Sequence, residues 1–519
     1  MRLPMPDQRP VRSHGNVRGA DVPRQSVLFE GRFGRIFRAL PPAEFSEDAL
    51  IALGKAMVAP LEPTPTPETE VDNEENQGIP AGYTYLGQFI DHDLTFDPIS
   101  SLEKQNDPEA LTDFRTPRFD LDSIYGRGSD DQPYLYQDDG RHLQLGRSLT
   151  GNPNDPNTRD LSRNATAGDQ RARALIGDPR NDENVIVSQL HATMLRFHNK
   201  VADLNQGATF REVQQLVRWH YQWVVLHDFL PTVVGDKTLH SILPHLKSGK
   251  SIFDDPPHLH FFRPRNQPFI PIEFSAAAYR FGHSMVRPIY RLNTTLGRNP
   301  PPKDDPVNGR QFIFNPEDDN KSLNGFRAFP NIWAIDWSLF FEMRPNSPKV
   351  GVDRLQRSYK IDTSLVNPLG TLPSSIATTH RSLAERNLLR GLSMALPSGQ
   401  RVAKAMGLNP LPDEVLVVGK ATKEDQSKNK SIVALPQWGR EFKGNAPLWY
   451  YILAEAQQQF VNDDTPIRLG PLGGRIVAET FIGLLLGDPT SFLAQDPNWA
   501  PNVSRKFTMS DLIAKAITP

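Results

Sequence analysis

Apolar residues recur at helical spacing through most of the chain beyond residue 80. In Val185–Leu204 they fall at Val185, Leu190, Met194, Leu195, Val201 and Leu204, the stripe of an amphipathic helix. Glu212–Leu230 repeats the pattern, and Pro231 should stop it, because proline lacks the N–H and crowds the preceding turn. Ser46–Met57 reads as one short helix, and Phe274–Val286 as another that carries His283 near its end, before Pro288. Strand-like runs are sparse, with Val415–Val418 and Ser431–Ala434 the best candidates. Proline- and glycine-rich connections cover 262–272, 296–325 and 343–375. No repeat of fixed period is visible. The pattern predicts a mainly α fold, a single large helical domain over residues 80–500 with long loops and little β structure. Residues 1–79 read as an N-terminal arm, the short helix and a linker, and 501–519 as a C-terminal extension. Pro60–Pro67 and the acidic run up to Gln77 should be extended linker, since proline resists helix.

Composition narrows the function classes. The chain has 519 residues, 38% of them hydrophobic, which suffices for one large helical domain or several ordinary ones. A net charge of -2 gives no electrostatic support to nucleic-acid binding. There is no cysteine, so the fold needs no disulfide, and cysteine-held zinc or thiolate-ligated haem is excluded. That fits a reducing compartment. Met1–Arg24 holds arginines but no apolar core of a secretory signal, so the chain is expected to be cytoplasmic or exported without a recognisable signal peptide. The apolar runs Trp223–Val234 and Ile476–Leu486 are interrupted by His227, Asp228, Pro231 and Glu479. Neither reaches the roughly 20 residues of a membrane span.

Candidate chemistry sits on two of the 13 histidines. In Gln88-Phe89-Ile90-Asp91-His92-Asp93, Gln88 and His92 are i and i+4 on a helix and share a face. Asp91 lies at the edge of that face, and Asp93 points elsewhere. Taken alone, Asp-His-Asp reads as a helix cap or a surface metal site. His283 ends Arg280-Phe281-Gly282-His283, an apolar setting. Histidine serves both as a general acid and base near neutral pH and as an axial ligand of haem iron. One acidic and one apolar histidine are what the two faces of a haem need. His191 and His198, and likewise His220 and His227, stand seven apart on presumed helices and read as structural. Thr116, Arg118, Asp120 and Asp122 alternate, so an extended segment would send their oxygens to one point, as calcium requires.

These blocks resemble, in order, those of the animal haem peroxidases, the peroxidase–cyclooxygenase superfamily, here in a bacterial-type form without disulfides. Gln88–Asp93 resembles the distal helix, Arg180-Asn181-Asp182-Glu183 the segment of the catalytic arginine, and Arg280–His283 the proximal segment. Asn387-Leu388-Leu389-Arg390 resembles the segment that orients the proximal imidazole, and Thr116–Gly126 the calcium loop. The likeness runs from about residue 80 to 400 and more loosely to about 490. It implies haem b with His283 on the iron, Asn387 hydrogen-bonded to that ring, and Arg280 and Arg390 at the propionates. It implies His92, Arg180 and Gln88 as the catalytic groups, and Asp91 and Glu183 as carboxylates that form ester bonds to haem. Asn184 stands where a sulfonium-forming methionine occurs in the family, so that link should be absent. Calcium would be held by Asp93, Thr116, the Arg118 carbonyl, Asp120 and Asp122. The implied activity is reduction of hydrogen peroxide through a ferryl intermediate and oxidation of small donors, halide, thiocyanate or phenolic. Cyclooxygenases and fatty-acid dioxygenases place a radical-forming tyrosine three residues before the proximal histidine. Arg280 occupies that position here, with Tyr279 displaced by one, so peroxidase is preferred to a dioxygenase or to a non-catalytic binding module.

Overall fold

The helix Val185–Leu204 forms over the span its apolar spacing predicts, and it lies at the centre of the molecule. The computed structural model describes residues 31–61, 72–95, 112–113, 116–166, 171–264, 268–296, 310–315, 322–345, 347–351, 353–374, 376–460 and 464–518. The expected arm at 1–30, the proline-rich segment at 62–71 and most of the connection at 296–325 lie outside them. In chain order the main helices are α1 (Glu47–Met57), α2 (Gly82–Leu94), α3 (Asp122–Tyr125), α4 (Val185–Leu204) and α5 (Phe210–Val224). They continue as α6 (Leu230–Val234), α7 (Leu383–Ser393), α8 (Leu448–Gln457), α9 (Pro471–Gly487) and α10 (Met509–Ile517). The strands are short, and the architecture is mainly α, as expected.

α4 is buried nearly all round rather than on one stripe, so its polar residues need internal partners. Gln189 donates to the Trp333 carbonyl at 2.7 Å and accepts from Ile335 N at 2.9 Å. Asn184 caps the helix, its Oδ1 accepting from Ile186 N and Val187 N. α2 and α5 pack on α4, and α2 also packs on the turn that carries His283. Phe89 of α2, Tyr221 of α5, Phe119 and Phe481 of α9 form successive edge-to-face contacts through this core.

Four expectations need correction. Pro231 does not stop the helix: α5 passes through a π turn, Val225–Phe229, into α6, where Pro231 takes a first-turn position that needs no donor. Gly235 ends it with φ 79°, a value that glycine tolerates. The proximal segment is an α turn, Ile272–Ser275, followed by a 3-10 helix, Ala278–His283, because Ala277 breaks the run at φ -138° and ψ -72°. The strand candidates shrink to Val417–Val418 paired with Lys430–Ser431, and 3-10 turns take the flanking residues. The acidic run ending at Gln77 is not all linker, since Glu75–Pro80 is a strand paired with Arg357–Tyr359. Glu75 is buried there between Arg287 and Arg354, at 2.8 and 2.6 Å, and a carboxylate out of water requires such partners.

No helix among the described residues is long and apolar enough to cross a membrane. At the C-terminus, α10 lays Met509, Leu512, Ile513 and Ala516 against α4. Asp228, in the π turn, joins this end to α2: it accepts from Met509 N at 2.7 Å and from the Tyr83 hydroxyl at 2.6 Å. Leu512 is 0% exposed. Leu512→Ala should therefore lower unfolding free energy by about 2–4 kcal/mol, measured by chemical denaturation. A loss under about 0.5 kcal/mol would show that α10 adds little to the core.

Candidate functional site

α2 supplies the first half of the site. His92 is buried, and its Nδ1 lies 2.8 Å from Asn181 Oδ1. An amide oxygen only accepts, so Nδ1 carries the proton and Nε2 keeps its lone pair. Burial, then the charge of Arg180, lowers the ring's pKa to about 4, so it is a neutral base near pH 7. Gln88, one turn earlier, donates through Nε2 to the Glu183 carboxylate and accepts from Asn184 Nδ2 at 3.1 Å. The i, i+4 spacing thus brings Gln88 and His92 to neighbouring residues of one turn, as expected. Asp91, at the edge of that face, accepts a hydrogen bond from Thr95 Oγ1 at 3.3 Å.

That turn is the 3-10 segment Pro179–Asp182, capped by Asp178, which accepts from Arg180 N at 2.8 Å. Arg180 does not simply reach into a pocket. Its guanidinium pairs with Asp178 at 2.7 Å and donates to the carbonyls of His92 and Thr95, so it closes the C-terminal end of α2. Its charge still acts on both His92 and Glu183. Burial raises the Glu183 carboxyl to about 7; Arg180 and Arg280 oppose this, while Asp178 and Asp91 add to it.

The second half is the 3-10 turn Ala278–His283 against α7. His283 Nδ1 lies 2.8 Å from the Asn387 side-chain amide, which links residues 104 apart. Here the amide nitrogen faces the ring; a half-turn of the amide would present its oxygen from the same place. Burial, then Arg280, lowers the His283 pKa to about 3, leaving a neutral imidazole. Gln88, Asp91, Glu183, Arg280 and His283 are all half-buried, where α2 packs on the His283 turn and Glu183 feels the charge of Arg280. Arg280 donates to the Ser275 carbonyl at 2.8 Å. Arg386, which sequence reasoning missed, lies within electrostatic reach of it, and burial, then the like charge of Arg280, lowers the Arg386 pKa. Arg390 follows on α7 and is half-buried. A neutral imidazole with Nδ1 engaged and guanidiniums beside it fit a haem, whose iron needs a nitrogen lone pair and whose propionates need cations.

The acidic cluster forms, but not from an extended segment. The loop bends through 117–120, Leu121 adopts a left-handed φ of 57°, and Asp122 begins α3. Oxygens of Asp93, Asp120 and Asp122 nevertheless lie within 4.8 Å of one another. Thr116 Oγ1 donates to Asp120 at 2.6 Å, and Arg118 pairs with Asp488 at 3.8 Å. Three carboxylates so close, one fully buried, favour a cation with oxygen ligands.

The family model for animal haem peroxidase matches residues 100–329, which include Thr116–Asp122, Arg180, Glu183, Arg280 and His283 but not α2 or α7. Chorion peroxidase of Aedes aegypti is 27% identical over 202 residues, 37% of this chain and 24% of that protein, so the match spans about a quarter of the relative's length. Among solved structures, peroxidase A of Dictyostelium discoideum has the same fold, with a TM-score of 0.55 and 15% identity over 94% of this chain and 93% of that one. The fatty acid alpha-dioxygenase of Oryza sativa gives 0.53 and 15% over 94% and 79%.

Glu183 also sets a pH dependence. Its folded-state pKa of about 7 exceeds its ordinary 4.5, so between these values the folded chain holds a proton that the unfolded chain has lost. Its contribution to stability is full below pH 4.5 and declines as pH rises to about 7. In haem-free protein, Glu183→Gln should lose less stability than wild type between about pH 5 and about pH 8, by denaturation midpoints. Equal pH dependence in both would remove Glu183 as a cause.

Proposed function

Because the chain belongs to the animal haem peroxidase family, we propose that it is a peroxidase that binds haem b in the recess between α2 and the His283 turn. Its oxidant would be hydrogen peroxide and its reductants small donors such as halide, thiocyanate or phenols. The observation that carries this reading is the pair of neutral histidines, His92 buried and His283 half-buried, each with Nδ1 held by an asparagine side chain. Bound haem iron would supply the electrons that cleave peroxide and take them back from donors. His283 would bind the iron through Nε2, with Asn387 turned to accept from Nδ1. A neutral acceptor pulls that proton less than a carboxylate would, which keeps the imidazole less anionic.

His92 Nε2 would take a proton from the attacking peroxide and hand it to the departing oxygen, which leaves as water. Positioned acid–base catalysis of this kind contributes about 10²–10⁴-fold. Arg180 would add a fixed positive charge while it holds the end of α2. Gln88 would share the recess with Glu183. Asp91 and Glu183 are the carboxyls that would be ester-linked, and Arg280, Arg386 and Arg390 the cations for the propionates. Tyr279 donates its hydroxyl to the Gly87 carbonyl at 3.2 Å and is thus tied to the α2 backbone, which favours peroxidase over dioxygenase chemistry. Calcium would bind Asp93, Asp120, Asp122, Thr116 and the Arg118 carbonyl, fastening the loop to the helix that bears His92.

The decisive experiment pairs the histidines. His283→Ala should lose most of its haem, seen as loss of the Soret band. His92→Ala should keep haem but slow the peroxide-induced Soret change about 10²–10⁴-fold. A normal rate in His92→Ala would end its assignment as the base. Calcium is tested on the haem-loaded protein. Chelation should lower the melting temperature and slow the peroxide reaction, since a ligand at 1,000 times its Kd stabilises the fold by about 4 kcal/mol. Unchanged values with metal analysis showing no calcium would leave an acidic turn without a metal role.

A further inference from the structure

We propose that Asn181 is a positioning residue for the distal base, holding His92 with its Nε2 lone pair toward the recess, with His191 as the partner at the other end of the amide. This rests on the peroxidase reading and adds two residues to it. Asn181 is 0% exposed. Its Oδ1 is 2.8 Å from His92 Nδ1, and its Nδ2 is 3.0 Å from His191 Nδ1. One amide oxygen and one amide NH2 therefore serve two imidazoles in a buried line that spans α2, the Pro179–Asp182 turn and α4.

Such a line has only two self-consistent states, because each amide end has one hydrogen-bonding sense. With the oxygen on His92, that ring holds its proton on Nδ1 and is a base at Nε2. With the amide reversed, the ring would hold its proton on Nε2 and could take none from peroxide there. His191 pairs with the other end of the amide in either state. It is fully buried, burial keeps its pKa down at about 3, and it stays neutral with one donor and one acceptor nitrogen. In the orientation found, Asn181 Nδ2 faces His191 Nδ1 while the amide oxygen faces His92. The remaining nitrogen of His191 has no hydrogen-bond partner among the described residues, and its ring packs against Phe89 at 6.0 Å and 73°.

The turn that presents Asn181 is itself fixed. Asn181 N donates to the Asp178 carbonyl at 3.1 Å, and the next residue, Asp182, takes two hydrogen bonds of 2.8 Å from Arg163. The amide has little freedom to move off His92. Partners of this kind, which orient a reacting imidazole without touching the reactants, typically change activity by about 10–100-fold when removed.

The test uses haem-loaded protein and two reactions that need a distal proton acceptor: peroxide reduction and association of hydrogen cyanide with the ferric haem. Asn181→Leu, which keeps the branched shape but removes both polar ends, should retain the Soret band and haem content but slow both reactions about 10–100-fold. In a His92→Ala background the same change should add less than about twofold, because it acts through the histidine. Asn181→Asp keeps an acceptor, so at alkaline pH, where an aspartate-paired histidine is neutral, it should stay within about tenfold of wild type. Normal rates in Asn181→Leu, or equal slowing with and without His92, would overturn the proposal. If Asn181→Leu fails to load haem, Asn181→Asp decides: slowing beyond about 100-fold at alkaline pH overturns it, and a rate within tenfold supports it. If His92→Ala itself reacts normally, the peroxidase reading of His92 falls first. A slow His92→Ala with a normal Asn181→Leu sinks only the present inference.

Discussion

The segment Asp178–Asn184 grips the end of α2, and the site depends on that grip. Asp178 caps the turn and pairs with Arg180. Arg180 closes the free carbonyls of α2 at His92 and Thr95. Asn181 accepts a hydrogen bond from His92 Nδ1, and Asp182 anchors to Arg163. Glu183 receives Gln88, and Asn184 starts α4. Each residue from 180 to 184 makes a contact that places either α2 or α4. A shift of this turn would move the base, the recess wall and the central helix together, which is why so much buried polarity is concentrated in so few residues.

Burial costs then decide which groups are charged. Desolvation holds His92, His191 and His283 neutral and pushes Glu183 toward its acid form, despite cations close by. The same cost bears on Arg280 and Arg386, two like charges at the recess, and on the three carboxylates around Asp93. Both sets are arrangements that ligands of opposite charge would relieve.

The legible parts of the chain were those fixed by local spacing. α4 appears over its expected span because its apolar residues repeat every turn, and α1 begins after its Ser46 cap. The i, i+4 relation of Gln88 and His92 needed only the helix itself. What local spacing could not show was tertiary. A π turn absorbs Pro231, and a backbone break at Ala277 turns an expected helix into a 3-10 segment. Glu75 looks like linker until Arg287 and Arg354 arrive from more than 200 residues away. Asn181 and His191 left no periodic mark at all, and only the His191 spacing on α4, which reads as structural, hinted at burial.

The two asparagines make a common physical choice. A carboxylate behind His92 would attract its proton and stabilise the imidazolium, so at neutral pH the ring would be charged and unable to accept from peroxide. A carboxylate behind His283 would draw the Nδ1 proton and make the iron ligand more anionic, which lowers the metal's potential. An amide avoids both outcomes. It fixes each ring by one hydrogen bond, selects the nitrogen that faces inward, and adds no charge to a site where every charge is expensive. On the distal side the amide alone would be free to reverse. His191 takes its other end, which ties Asn181 to the packing of the central helix.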